Sequence, residues 1–407
     1  MSTHSDFIVI GAGLAGLNAT LLLQSAGHDV TLLESSHRAG GRVKTDAEDG
    51  LLFDHGFQLL NPAYPELKKL DILHELDLRE FVAGVELVMP QGHYRLADPR
   101  KKPTWLFDAA IGRYATPVEK LQIIAAVSRI LKKSIGKKIQ PSLASVETEM
   151  ISLGVPKSFY DALLKPFLTG VFLADPAKVS AAYGEFVIRS FFNGTPAVPA
   201  KGMGALTEVM AARLAPETLK LGVHVKDIKA GKVFTDDGEM TADKIIIATN
   251  PSQMNNWFPN LPSVETVGCT TWYHVSGTRV KADKTIRIDG AGRGPILNSV
   301  VMSEVAPGYA SRGRSLISTT TLGVGGVEVE NQVQDQLELI WGKESRHWKL
   351  ARRFEIPEAL PILKPGVGLQ LPVSLGNNIF IAGDHRDTPS QEGALLSGRR
   401  AAAAALR

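Results

Sequence analysis

The sequence predicts an α/β protein of two domains, in which a discontinuous Rossmann-like nucleotide-binding domain is joined to an α+β domain. Three observations carry that prediction. A G-x-G-x-x-G turn sits between two apolar runs in the first 34 residues, and a second strand–loop–helix unit ends the chain. The long stretches between them switch from helix-like to strand-like patterns without repeating either unit.

The 407 residues are 44% hydrophobic and 21% charged, which allows one large domain or two. A net charge of +3 is too small to imply a nucleic-acid partner. Cys269 is the single cysteine, so no internal disulfide forms, which fits a reducing compartment. "MSTHSDF" is short and polar, and "FIVI" lies too close to the following glycine to form a signal-peptide core. No uncharged apolar run reaches the roughly 18–20 residues of a membrane span. The expectation is a cytoplasmic protein.

In "DFIVIGAGLAGLNATLLLQSAGHDVTLLE", Phe7 to Ile10 read as a strand buried on both faces. Gly11, Gly13 and Gly16 follow, and a helix opening at Leu14 and Ala15 continues to about Ser25. Gly27 suits the helix end, and Val30 to Leu33 form the second strand. Gly11 makes the tight turn, Gly13 admits a pyrophosphate close to the backbone, and Gly16 packs helix on strand. The helix start, with free N–H groups and a favourable dipole, suits phosphate. Glu34, 18 residues beyond Gly16 and followed by Ser35, is placed to accept hydrogen bonds from ribose hydroxyls. It disfavours a 2′-phosphate but does not choose between NAD and FAD.

The choice comes from "ESSHRAGGRVKT", in which Arg38 and Arg42 flank Gly40-Gly41. Guanidinium forks suit phosphate oxygens, and paired glycines let the main chain approach a cofactor. "GAGLAGLNA…LLESSHRAGGRVKT" resembles the N-terminus of the flavin amine oxidase superfamily, which includes amine oxidases, protoporphyrinogen oxidase and phytoene-desaturase-type enzymes. The resemblance implies a two-domain flavoprotein holding noncovalent FAD. "LLFDHGFQLL" continues it, with Asp54, Gly56 and Phe57 near the flavin. At the far end, "NNIFIAGDHRDTPSQEGALLSGRRAAAAAL" is a strand, Gly383-Asp384, and a helix from about Gln391. By resemblance, Asp384 takes a ribityl hydroxyl and the helix start, with Gln391, Glu392 and Ala394, faces the flavin. A third segment, 222–251, reads as hairpin strands around a "DDG" turn, followed by the buried run "KIIIATNP". The resemblance sets the main chain of Val225 at the adenine and Ala248 at the cofactor sheet. "PAKGMGALTEVMAARL" matches the family's entry into this half, except that Lys201 replaces the usual first glycine.

The FAD-binding domain is thus expected over 1–75, 198–260 and 372–407, and the substrate domain over 76–197 and 261–371. In the latter, "TTWYHVSGTRV" and "SLISTTTL" read as strands and "EVENQVQDQLELIWGK" as a helix. "GAGRGP" at 290–295 is a decoy, since no helix pattern follows it. Residues 119–139 form a lysine-rich, apolar-striped helix candidate, with Lys132, Lys133, Lys137 and Lys138 near Ile130, Leu131 and Ile135. Its two readings are a packed helix with a solvated face, which is preferred, and a peripheral contact with the inner face of a membrane.

The reaction is read from what is missing. No Tyr or Trp precedes the C-terminal "EGA", where amine oxidases of the family place one ring of a cage, and no metal cluster is visible. The tail is similar to those of the phytoene-desaturase-type enzymes. The resemblance implies dehydrogenation of a largely apolar small molecule by hydride transfer to flavin N5, with oxygen or a quinone as electron acceptor. The alternatives are an amine or protoporphyrinogen-type oxidase, a non-redox isomerase, and a flavin-binding structural partner. His55, His385 and Arg386 are the titratable candidates for catalysis. Trp272, Tyr273 and His274 either line the pocket or belong to the core.

Overall fold

In the computed structural model, which describes residues 4–98, 100–134 and 139–407, the N-terminal apolar run is the strand His4–Ile10. Its side chains alternate between two cores, Phe7 and Val9 in one, Ile8 and Ile10 in the other. Parallel neighbours flank it: Val30–Glu34 on one side, and Gly238–Ile247 on the other. The C-terminal half of Gly238–Ile247 also pairs in parallel with Ile379–Ile381, while its N-terminal half joins the hairpin Val225–Lys229 and Lys232–Thr235. Thr235 pairs with Gly238, so Asp236 and Asp237 form the expected turn. Leu219–Leu221 and Ser374–Gly376 complete an eight-stranded sheet.

Against this sheet lie the helices Leu14–Ser25 and Gln391–Ala405, from opposite ends of the chain. Asn18 Nδ2 donates to Leu395 O at 2.7 Å, and a Cβ on Gly398 would stand 2.1 Å from Ala15 O. The two distant motifs are therefore parts of one surface. Asp54, expected near the flavin, is instead a buried tie: it accepts from Thr45 Oγ1, Met203 N and Tyr309 Oη. Burial pushes its pKa up, against those three donors.

A seven-stranded sheet runs Lys349–Pro361, Thr266–Ser276, Ser315–Leu322, Ile296–Val301, Ile286–Asp289, Gly84–Met89, Gly92–Ala97. The helix Val327–Trp341 covers one face, with Val333, Leu337 and Ile340 on Trp272 and Ile317. The "GAGRGP" cluster falls in the connection between two of these strands, as a decoy should. Helices Pro117–Ser134, Val146–Ser152, Lys165–Phe172 and Ala181–Asn193 share a further core with Tyr160 and Leu363. The chain crosses between the two sheets where Leu78–Glu80 pairs antiparallel with Ala197–Pro199. Of the lysine-rich segment, Pro117–Ser134 is helical, Lys132 is exposed, and Ile135, Lys137 and Lys138 lie outside the described residues.

Candidate functional site

The three motif glycines serve different ends. Gly11 has φ +101°, and a Cβ there would lie 2.7 Å from Ala248 O. A Cβ on Gly16 would lie 1.9 Å from Gly11 O, so that glycine closes helix on turn. Gly13 has an ordinary φ of −78°, and its Cβ would meet only Gly41 Cα, at 3.9 Å. The space beside Gly13 is part of a cavity of about 660 Å³. Nothing in the protein forbids a side chain at Gly13, so the space beside it is open to a ligand.

Around that opening the sequence candidates gather. Glu34 Oε2 accepts from Ala12 N at 2.8 Å, and Oε1 accepts from Ser36 N and Oγ at 2.9 and 2.7 Å. A carboxylate has about four acceptor positions, so the fixed group keeps about one for a ribose hydroxyl. Leu14, Ala15, Ser35, Gly40, Gly41, Gly56, Phe57, Val225, Ala248, Gly383, Gln391 and Ala394 also line the cavity. Arg42 and Asp384, assigned separately in sequence to phosphate and ribityl contacts, bind each other at 2.7 Å, and Arg42 Nη1 donates to Ala359 O. Among the buried polar atoms of the lining without a protein partner are Thr249 Oγ1 and Gln391 Oε1. The open cradle, the start of a 12-residue helix and these orphan atoms fit a bound dinucleotide.

Other candidates lie elsewhere. Arg38 is spent outside the cavity on Asp46 and on Thr45 O at 2.8 Å. Glu392 is buried behind the lining, both oxygens accepting from Glu66 N at 3.2 and 3.1 Å, and burial pushes its pKa up to about 7. His385 and Arg386 are also off the cavity; burial lowers His385 to about 4 and lowers Arg386 as well. Of the three catalytic candidates, His55 alone reaches the wall, with Nε2 3.0 Å from Asp46 Oδ2. Trp272 and His274 take the face opposite Cys269 and Thr271, because strand side chains alternate, and Cys269 is the one that lines the cavity. Trp272 is core under the helix Val327–Trp341, and burial lowers the His274 pKa to about 4.

The far end of the cavity had no local signal in the sequence. Phe167, Val171, Phe186, Val187 and Phe191 come from two helices, and Ile286, Ile288 and Leu297 from the second sheet. Tyr64, Phe186 and Tyr183 form an aromatic stack on the wall, with successive centroids 6.2 and 6.1 Å apart. The Tyr183 hydroxyl is spent on Pro389 O. Among the described residues, Asp, Glu, Lys and Arg line only the nucleotide end, as Glu34, Arg42 and Asp384. Among the described residues no cluster could hold a metal ion.

Residues 14–406 match the family described as flavin containing amine oxidoreductase. A hydroxysqualene dehydroxylase of Rhodopseudomonas palustris (strain ATCC BAA-98 / CGA009) is 25% identical over 97% of this chain and 96% of its own length. Protoporphyrinogen oxidase 2, chloroplastic/mitochondrial, of Arabidopsis thaliana is 29% identical over 42% of this chain, a match spanning only a third (33%) of that protein. The structure of a putrescine oxidase bound to putrescine superposes over 100% of both chains, with TM-score 0.75 and 17% identity, which shows the shared fold.

Proposed function

This chain belongs to the family of flavin-containing amine oxidoreductases and is an FAD-dependent oxidoreductase acting on a small molecule; on that premise, we propose that its substrate is largely apolar and is dehydrogenated. The observation that carries the reading is the charge distribution along the cavity. Among the described residues, all Asp, Glu, Lys and Arg side chains of the lining stand at the nucleotide end, and the far end is Phe, Val, Ile and Leu with a few neutral polar groups. A cation entering there would lose its water without gaining a counter-charge, which is costly in an apolar site. An uncharged hydrocarbon skeleton loses nothing and gains burial.

FAD, held without a covalent bond, would supply the hydride acceptor for that dehydrogenation. The chain's own part is to hold that cofactor and to press the substrate against it. Gly13 and Gly41 leave room for the phosphates, and Glu34 takes the ribose. The Arg42–Asp384 pair fixes a charged contact at the lining, and the aliphatic walls orient the C–H bond and exclude water. FAD would occupy the dinucleotide unit, the one visible among the described residues, so the electrons would come from substrate rather than from NAD(P)H and would pass to oxygen or a quinone. The relative matched along nearly its full length, named for hydroxysqualene, supports the apolar reading. In an anaerobic cuvette, a lipophilic polyene should bleach the flavin band, whereas NADH, NADPH and a panel of mono- and polyamines should leave it intact. Fast bleaching by a simple amine would transfer the protein to the amine-oxidase reading.

Delivery of such a substrate favours a peripheral membrane contact, through a surface that the preferred sequence reading treated as ordinary solvated helix. Leu106, Phe107, Ile111, Val118, Leu121 and Ile124 are all exposed, beside exposed Arg113, Arg129 and Lys132. The inner side of the same helix, at Ala126 and Ile130, packs in the cluster that includes the cavity-lining Phe186 and Phe191. No helix among the described residues is long and apolar enough to cross a membrane, so the contact proposed is with the lipid surface. Flotation with vesicles of phosphatidylcholine and phosphatidylserine should capture the protein. Leu121→Glu with Ile124→Glu should release it, and a wild type that stays unbound would refute the contact.

A further inference from the structure

We propose that Asn298 and Thr320 form a hydroxyl-binding subsite in the apolar half of the cavity, so that the substrate is an apolar molecule carrying a hydroxyl group. This rests on the apolar reading above and narrows it. Asn298 lies on the strand Ile296–Val301 and Thr320 on Ser315–Leu322, and the two are direct cross-strand partners. Directly paired residues in antiparallel strands share a face, with Cβ atoms about 4.5–5.5 Å apart. Both residues line the cavity, so the shared face is the one turned to it. The register shifts between Ile296 and Asn298, at the start of this pairing.

Both side chains are more than nine-tenths buried, Asn298 at 6% and Thr320 at 3% exposure. Neither Asn298 Oδ1 nor Thr320 Oγ1 has a hydrogen-bond partner, so the two do not bond each other. Two buried polar atoms left unpaired on neighbouring strands are costly, each on the order of 1–3 kcal/mol. A third group seated over the pair removes both costs. Ile286, Ile288, Leu297, Phe167 and Val171 line the same cavity and carry no polar side-chain atom. A Cβ on Gly170 would stand 3.1 Å from Asn298 Nδ2, so the missing side chain at this turn of the helix Lys165–Phe172 makes room for the asparagine amide.

The donor–acceptor inventory selects the ligand. Asn298 Oδ1 only accepts, whereas the Thr320 hydroxyl can donate or accept. A ligand hydroxyl donates to the first and accepts from the second, satisfying both with one atom. A carbonyl oxygen only accepts and leaves Oδ1 unpaired. An ammonium only donates, and it would bring a charge where no counter-charge exists. Thr271 continues the row on the next strand as the cross-strand partner of Thr320, but it does not line the cavity, and its Oγ1 accepts from Phe57 N at 3.2 Å. The subsite is thus the pair.

The test uses the FAD-loaded protein and two probes of equal chain length, decan-1-ol and decane, titrated against the flavin absorbance spectrum and by calorimetry. Wild type should bind the alcohol more tightly than the hydrocarbon, and Asn298→Leu with Thr320→Val should lose that preference, by roughly 5- to 150-fold. Decane affinity should stay unchanged in the variant. Thr320→Val alone is close in shape and removes an unpartnered hydroxyl, so it should fold at least as stably as wild type and still lose part of the preference. Equal binding of both probes to wild type and variants would overturn the subsite, with a bridging water as the pair's partner, and leave the apolar reading standing. Failure of both probes to bind would instead count against the apolar reading itself.

Discussion

Replacing Gly13 with Ala separates holding the cofactor from holding the fold. The backbone at Gly13 is extended, with φ −78° and ψ −177°, and an added Cβ stays 3.9 Å from its nearest neighbour, Gly41 Cα. The protein alone therefore tolerates the methyl. The stability cost is the poorer helix N-cap, on the order of 0.5–1 kcal/mol. The same change at Gly16 puts a Cβ 1.9 Å from Gly11 O and must move backbone, costing roughly 1–3 kcal/mol or more. Toward FAD the order reverses in kind: the methyl on Gly13 occupies the space through which the main chain approaches the phosphates. Displacing one charge-assisted hydrogen bond costs roughly 1.5–3 kcal/mol, or about 10- to 150-fold in affinity. The assay pairs thermal unfolding of FAD-stripped protein with FAD titration by flavin fluorescence. Gly13→Ala should unfold within a few degrees of wild type yet bind FAD at least tenfold more weakly, and Gly16→Ala should fail on both counts. A Gly13→Ala protein that holds FAD as tightly as wild type would show that the cofactor does not lie against this turn.

Two further outcomes follow from buried carboxylates. Asp384→Ala removes the partner of Arg42 and a cavity-lining carboxylate together, and FAD retention on dilution should fall by about 10- to 150-fold; retention unchanged would remove Asp384 from the cofactor site. For Glu392, burial lifts the pKa from 4.5 to about 7, so the folded state holds the proton more tightly than the unfolded one. Its contribution is fully present below pH 4.5 and is lost as pH rises through 7, a fall of roughly 3 kcal/mol at most. Glu392→Gln should flatten that limb of the urea-denaturation stability profile between pH 5 and 8, and an unaltered slope would place the titration on another group.

What was legible in the sequence and what was not divide along one physical line. The cofactor half is written in local chemistry: Gly11 and Gly16 must be glycine because a carbonyl lies within 2.7 Å and 1.9 Å of any Cβ, and such needs leave fixed spacings in the chain. Even there, spacing shows that two charges lie near a cofactor without showing how they are shared, so Arg42 and Asp384, 342 residues apart, turn out to bind each other. Arg38 matched the pattern yet pairs with Asp46, because an exposed guanidinium takes the nearest carboxylate. The far, apolar end of the cavity has no local requirement to read. Trp272 looked like a pocket residue by type, but the face of a strand decides what a side chain sees, and alternation gives the cavity to Cys269 and Thr271's side of the sheet. The Asn298–Thr320 pair exists only through cross-strand register, with a shift that no residue in "PILNSVV" announces. A cofactor shared by many enzymes leaves a shared motif, whereas a substrate peculiar to one enzyme is met by side chains gathered from helices and strands far apart in sequence. The chemistry of those side chains is readable only once the fold has brought them to one wall, as it brings the unpaired oxygens of Asn298 and Thr320 together in the lining.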